Sequence, residues 1–259
     1  MGSALVRGLV SSGKTLPAMI CAFDVDSAKC RTIVEELGVE AAPAISGVVT
    51  PDTDLVILAV KPQVIGPVLE SIAHQVHERL VIISIAAGIT TAFILSKLKG
   101  PARVIRAMPN AAAMVSAGAT AVCKAGPADD KDLAAAVDLF NAVGSAVIVD
   151  EKMMNVVTAL SGSGPGYLFI IMEALTDGAV LMGLDRPTAR VLAVQTVLGA
   201  ATMAASGNIT FSELKDRITS PGGTTIAGLQ VLESGGLRGL IMGAIEAATF
   251  RAEELQASK

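Results

Sequence analysis

The stretch Leu214-Lys215-Asp216-Arg217-Ile218-Thr219-Ser220-Pro221-Gly222-Gly223-Thr224-Thr225-Ile226-Ala227-Gly228-Leu229 joins hydroxyls, a proline and two glycines to the start of an apolar helical run. Pro221 stiffens a turn. Gly222 and Gly223 leave backbone N–H groups uncovered, and Ser220, Thr224 and Thr225 add hydroxyls. Free N–H groups and hydroxyls at a helix start form an anion site without any Arg or Lys. A small carboxylate fits such a site. The other reading of the same spacing is an ordinary capped helix.

A second constellation lies at the start of the chain. A dinucleotide-binding sheet begins with a strand, a G-x-G-x-x-G turn and a helix. The glycines permit the tight turn and the close approach of backbone to pyrophosphate. Met1-Gly2-Ser3-Ala4-Leu5-Val6-Arg7-Gly8-Leu9 reads as that helix without its strand. Gly2 then stands for the third glycine, and the first two lie ahead of Met1. Asp24 follows an apolar run ending at Phe23, near the ~20-residue offset where an acidic residue bonds the ribose hydroxyls. By local pattern alone, Gly2 is equally a small residue at a chain start and Asp24 a helix cap.

Other candidates carry less. Gly162-x-Gly164-x-Gly166 imitates a phosphate loop but follows no strand, so close helix packing is the expectation. His74 and His77 sit at i, i+3 in a predicted helix with no carboxylate or cysteine cluster beside them, which fits surface positions rather than a metal. Neither falls at a strand-end loop where a hydrolase triad places its base. The cysteines Cys21, Cys30 and Cys123 are scattered and odd in number, so neither a disulfide framework nor a zinc site follows.

The elements that position these residues change character near residue 150. Before it, apolar runs of strand length (Met19–Phe23, Leu55–Val60, Leu80–Ile85, Arg103–Ala107, Ala119–Cys123 and Val147–Val149) alternate with helical stretches at Ser27–Leu37 and from Pro62 to about Val76. That alternation predicts an α/β fold, a Rossmann-like doubly wound parallel sheet. After it, helical spacing predicts Tyr167–Met182, Arg186–Ala205, Phe211–Arg217, Thr225–Glu233 and about Leu237–Leu255. The domain expectation is residues 1–150 for the dinucleotide and residues 151–259 for an all-α part.

Composition narrows the function classes. The net charge is -4 and no basic run occurs, which argues against nucleic acid. Hydrophobic residues reach 52% and mean hydropathy is +0.61. Tyr167–Leu184 is the most apolar long stretch, but it contains Glu173 and Asp177, so no membrane span is expected. The excess is expected as area buried between subunits. Met1–Val10 is too short for a secretory signal and holds Arg7, which leaves the cytoplasm as the default.

The Ser220–Thr225 run resembles the signature of pyrroline-5-carboxylate reductases. Ala59-Val60-Lys61-Pro62, Ser84-Ile85-Ala86-Ala87-Gly88, Arg106-Ala107-Met108-Pro109-Asn110 and Ser161-Gly162-Ser163-Gly164-Pro165 resemble the same family in the same order, from Gly2 to Leu255. The resemblance implies reduction of 1-pyrroline-5-carboxylate to L-proline with NADH or NADPH. It implies cofactor-facing positions at Gly2, Asp24, Ser46, Ala59, Val60, Lys61, Pro62, Ile85, Ala86 and Ala87. It implies substrate contacts from Ser220, Gly222, Gly223, Thr224 and Thr225, with Glu151 near the substrate and Thr225 hydrogen bonding near the ring nitrogen. It also implies a helical domain shared in a homodimer, with further assembly to a decamer.

Three departures matter. The first strand of the sheet is missing. Asp24 stands where many relatives carry Ser or Thr, and a carboxylate repels a 2′-phosphate, so NADH is favoured. Asn208-Ile209 replaces a His-Pro pair common before the signature helix. Two rival readings remain in view. One is a β-hydroxyacid dehydrogenase relative, for which Lys152 is the available lysine. The other is an inactive truncated paralogue whose helical part still assembles.

Overall fold

The computed structural model describes residues 1–98 and 100–257. The chain divides into two compact units, Met1–Ser163 together with the chain from Ala247, and Gly164–Glu246. The expected boundary at residue 150 falls earlier than this division, because residues 151–163 group with the first unit.

In the first unit, apolar runs pair as strands and amphipathic stretches cover them. The order is α1 (Gly2–Ser11), β1 (Cys21–Ala22), α2 (Ser27–Leu37), β2 (Glu40–Ala41), β3 (Leu55–Leu58), α3 (Ile65–Ile72), β4 (Val81–Ser84), α4 (Thr91–Lys97), β5 (Arg103–Pro109), β6 (Gly118–Ala125), α5 (Asp130–Phe140), β7 (Gly144–Ile148) and α6 (Met154–Val157). Strands β3 to β7 form one sheet in sequence order, and β1 and β2 form a separate parallel pair. The pairs β3–β4, β4–β5 and β6–β7 are parallel, as expected, but β5–β6 is antiparallel. Residues 110–117 are too few for a crossover helix, so the chain returns as a hairpin.

Strand β4 is buried along its whole length, as a strand covered on both faces must be. On one face, Val56, Leu58, Ile82 and Val104 pack with Leu69 and Ile72 of α3 and Ile94 of α4. On the other, Ile83, Ile105 and Val122 pack with Leu5 of α1 and with Leu133, Ala136 and Phe140 of α5. Helix α2 keeps its expected bounds, capped by the Asp26 side chain and ended by Gly38 at φ +70°. The expected strand Met19–Phe23 shrinks to β1, because Pro17 opens a 3-10 turn through Met19. The expected helix to Val76 stops at Ile72. Beyond it, Gln75 donates to the Ser46 and Val49 carbonyls and Arg79 to that of Pro51, which ties this segment down as a loop. His74 and His77 therefore leave the helix, and no group able to hold a metal occurs among the described residues.

The second unit holds α7 (Gly164–Leu181), α8 (Arg186–Ala205), α9 (Phe211–Arg217) and α10 (Thr224–Ser234); α11 (Leu237–Ala257) begins in it. Thr176, Ala189 and Ala193 are the buried residues of α7 and α8. Phe169, Leu181, Val191, Phe211, Val231 and Leu240 stay exposed. By length and composition, α8 and the helical run Glu151–Leu181 are apolar enough to cross a membrane. Glu173 and Asp177 thus do not disqualify that run by themselves.

Helix α5 went unanticipated in the strand-and-helix pattern, yet its Phe140 is fully buried. Phe140→Ala is expected to lower unfolding stability by about 3–5 kcal/mol. Urea unfolding measures this, and a loss under about 1 kcal/mol would mean that α5 does not seal that face of the sheet.

Candidate active site

Leu58, Ser84, Arg106 and Cys123 stand opposite one another across β3, β4, β5 and β6. Because β3 and β4 are parallel, the segments that leave this row emerge at the same edge. In such sheets ligands bind beyond the carboxyl ends of the strands. After β3 come Ala59 and Lys61, both exposed, with Val60 and Pro62 half-buried. After β4, Ile85 N–H donates to the Leu58 carbonyl at 3.2 Å and Ala86 N–H to the buried Ser84 hydroxyl at 3.3 Å. Ala86 is buried and Ala87 exposed.

Gly2 stands at the same edge. A Cβ built on it comes within 3.2 Å of the Ala59 Cβ, so the start of α1 meets the end of β3 at glycine distance. Asp24 follows β1, and its Oδ1 accepts from Asp26 N–H at 2.9 Å. Lys29 Nζ stands 3.9 Å from that carboxylate. Ser46 sits exposed in a 3-10 turn, and its carbonyl accepts from Gln75. Small residues at Gly2, Ala59 and Ala87 keep bulk away from the strand ends, which fits a dinucleotide.

Glu151 opens the segment after β7. Its Oε1 accepts from Thr91 N–H at 2.7 Å and from Arg106 at 3.1 Å, and its Oε2 from the Thr91 hydroxyl at 2.6 Å. Burial pushes the Glu151 pKa up, but the Thr91 bonds and the Arg106 guanidinium outweigh it and hold the pKa below the usual glutamate value. Both carboxylate oxygens are thereby engaged within the first unit. Across from Arg106, burial and then the Glu151 charge push the Cys123 thiol up to about 11, which keeps it protonated and unreactive. Asn110 donates to the Ser161 carbonyl at 3.0 Å and accepts from Ala119 N–H at 3.0 Å, tying the end of β5 to the π-helical turn Thr158–Gly162. Thr91 was not anticipated as a site residue. A threonine at the start of a short helix carries no signal until its distant partner is known.

A Cβ on Gly162 comes 3.2 Å from Met108 Cε, which belongs to strand β5 rather than to a helix. Gly164 and Gly166 face open space in the single chain. Lys152 is exposed and lies 3.4 Å from Asp150, with no sign of a catalytic setting.

The second unit holds the hydroxyl-rich turn. Helix α9 is fixed by a capping box between Thr210 and Glu213. Gly223 N–H then donates to the Ser220 carbonyl at 3.0 Å. Pro221 and Gly222 are the central residues of that turn, and Gly222 has φ +69°. Proline first and a positive φ second is the type II arrangement. At Gly223 a Cβ would fall 2.3 Å from the Ser220 hydroxyl, so any larger residue would displace that hydroxyl. Gly223 caps α10 without any side-chain bond. The first N–H groups of α10 therefore lack a side-chain cap and stand beside the hydroxyls of Ser220, Thr224 and Thr225. Thr225 is half-buried, while Ser220 and Thr224 are exposed. The arrangement suits a small anion.

Comparison with known proteins bears on both units. Residues 151–255 match the family model described as pyrroline-5-carboxylate reductase dimerisation, and residues 1–88 match that described as NADP oxidoreductase coenzyme F420-dependent. A pyrroline-5-carboxylate reductase of Methanosarcina acetivorans is 43% identical over 98% of this chain and 94% of its own length. The structure of a pyrroline-5-carboxylate reductase from Coxiella burnetii superposes with a TM-score of 0.94 at 39% identity, covering 98% of this chain and 94% of that one. The Plasmodium falciparum pyrroline carboxylate reductase, solved with NADP bound, gives 0.84 at 27% identity, covering 99% of this chain and 94% of its own. By similarity along nearly its whole length, the chain belongs to the pyrroline-5-carboxylate reductase family.

Proposed function

We propose that the chain reduces 1-pyrroline-5-carboxylate to L-proline, with NADH or NADPH as reductant. Similarity over 98% of the chain to a reductase of that name carries this reading. The Ser220–Thr225 turn gives it a chemical site. The substrate is a cyclic imine with one carboxylate, and the uncapped start of α10 offers N–H groups and hydroxyls to that carboxylate. When bound, the reduced nicotinamide supplies the hydride that adds to the imine carbon, and a proton ends on the ring nitrogen.

The residues mainly hold and orient. An imine is already electrophilic, more so when its nitrogen is protonated, so fixing the geometry supplies much of the lowered barrier. Ser220, Gly222, Gly223 and Thr224 hold the carboxylate. The Thr225 hydroxyl accepts a hydrogen bond from the protonated ring nitrogen and fixes the ring's orientation. Ala59–Pro62 and Ile85–Ala87 face the nicotinamide side of the dinucleotide, with Gly2 close to the pyrophosphate. Asp24 faces the adenosine ribose, where its carboxylate favours the 2′-hydroxyl of NADH over a 2′-phosphate. We assign subunit association to the helical part, as a homodimer. Its exposed Phe169, Leu181, Val191 and Val231 are the apolar area that a second copy covers.

Three measurements test this reading. Oxidation of NADH or NADPH is expected to depend on added pyrroline-5-carboxylate and to yield proline; folded protein that shows no imine-dependent oxidation contradicts the activity. Thr225→Ala is expected to lower kcat about ten- to hundredfold, the worth of a hydrogen bond to a charged group, while Thr225→Ser retains most of it. Unchanged kinetics in Thr225→Ala removes that hydroxyl from the site. Asp24→Ser is expected to raise the ratio of kcat/KM with NADPH to that with NADH by about tenfold. A ratio that stays level or falls contradicts the role given to Asp24.

A further inference from the structure

We infer that Glu151, Arg106 and Thr91 form a brace that sets the shape of the turn after β4 and, through it, the affinity of the chain for its dinucleotide. The inference rests on the reading of Ile85–Ala87 as cofactor-facing. The turn is pinned at its near end by Ile85 N–H on the Leu58 carbonyl and by Ala86 N–H on the Ser84 hydroxyl. Ile89 N–H donates to the Ala86 carbonyl within it, and Gly88 sits at φ +67°. Its far end is held at Thr91, where Glu151 takes both the backbone N–H and the side-chain hydroxyl. Sheet register fixes the near end. The far end is fixed by a carboxylate brought from 60 residues further along the chain.

Arg106 makes the arrangement rigid. It leaves β5 in the row shared with Ser84, and its side chain is 3% exposed. A buried guanidinium needs a counter-charge, and Glu151 supplies one at 3.1 Å. Arg106 thus fixes the carboxylate, and the carboxylate fixes Thr91, itself 5% exposed. With Oε1 shared between Thr91 N–H and Arg106, and Oε2 on the Thr91 hydroxyl, Glu151 works through Thr91. It is a positioning residue.

The test compares Glu151→Gln, Thr91→Val and Thr91→Ser with the parent chain. Binding of reduced dinucleotide is read by nicotinamide fluorescence, and the KM for pyrroline-5-carboxylate is read at saturating dinucleotide, below the unfolding temperature of every variant. Glu151→Gln and Thr91→Val are each expected to weaken dinucleotide binding by about tenfold, with Thr91→Ser within about twofold of the parent and the imine KM within about twofold throughout. A variant that had only lost stability would keep its dinucleotide affinity at that temperature. Unchanged dinucleotide affinity in Thr91→Val and Glu151→Gln overturns the brace, and so does a rise confined to the imine KM, which would set the Glu151 carboxylate against substrate. Should Glu151→Gln fail to fold, the Thr91→Val and Thr91→Ser pair decides. A parent chain that binds no reduced dinucleotide overturns the cofactor reading and the brace with it; a parent that binds, with variants that bind equally, overturns the brace alone.

Discussion

The register of Leu58, Ser84 and Arg106 across three parallel strands decides which segments leave the sheet at one edge. Parallel strands deliver their exits to one edge, and here alanines stand in the exits of β3 and β4. Ala59 follows β3, Ile85 to Ala87 follow β4, and Gly2 meets Ala59 where an added Cβ would be tight, at 3.2 Å. The same row places a buried arginine between a buried serine and a buried cysteine. That cation draws Glu151 back onto the sheet, so the segment after β7 becomes part of the first unit. Burying Arg106 without Glu151 would leave a charge that the interior cannot solvate. The packing of the sheet and the placement of Glu151 are therefore joined at one ion pair.

The second unit is built on a different constraint. Its helices bury Thr176, Ala189 and Ala193, yet leave Phe169, Leu181, Phe211 and Val231 exposed. A helix that is apolar on several sides needs more than one partner surface. The match to a dimerisation region accounts for that surplus better than a bilayer does. The turn before α10 is polar and glycine-rich amid these apolar helices. Gly222 is favoured there by its positive φ, and Gly223 leaves the Ser220 hydroxyl in place.

Much of this was legible from local pattern. Helices α2, α8 and α9 have the bounds that caps and periodicity predicted, because each signal lies within a few residues of the element it ends. The short segments were less legible. Pro17 replaced most of a strand with a 3-10 turn, and side-chain bonds from Gln75 and Arg79 turned a predicted helix end into a loop. The antiparallel return of β6 depends on loop length, which apolar runs alone do not reveal. For the site, the Ser220–Thr225 turn announced itself by composition. Thr91 did not, since its partner Glu151 lies across the fold. Glu151 was expected beside the substrate from resemblance; the geometry engages its carboxylate with Thr91 and Arg106.

The central claim is that the strand-end turns of the first unit take the dinucleotide and the start of α10 takes the carboxylate. Hydrogen–deuterium exchange of the backbone amides, with NADPH and L-proline added separately, tests it most directly. The account predicts slower exchange at residues 59–61 and 85–88 with NADPH, and at residues 222–226 with proline. Protection by NADPH confined to residues 222–226, or no protection there by proline, would contradict it.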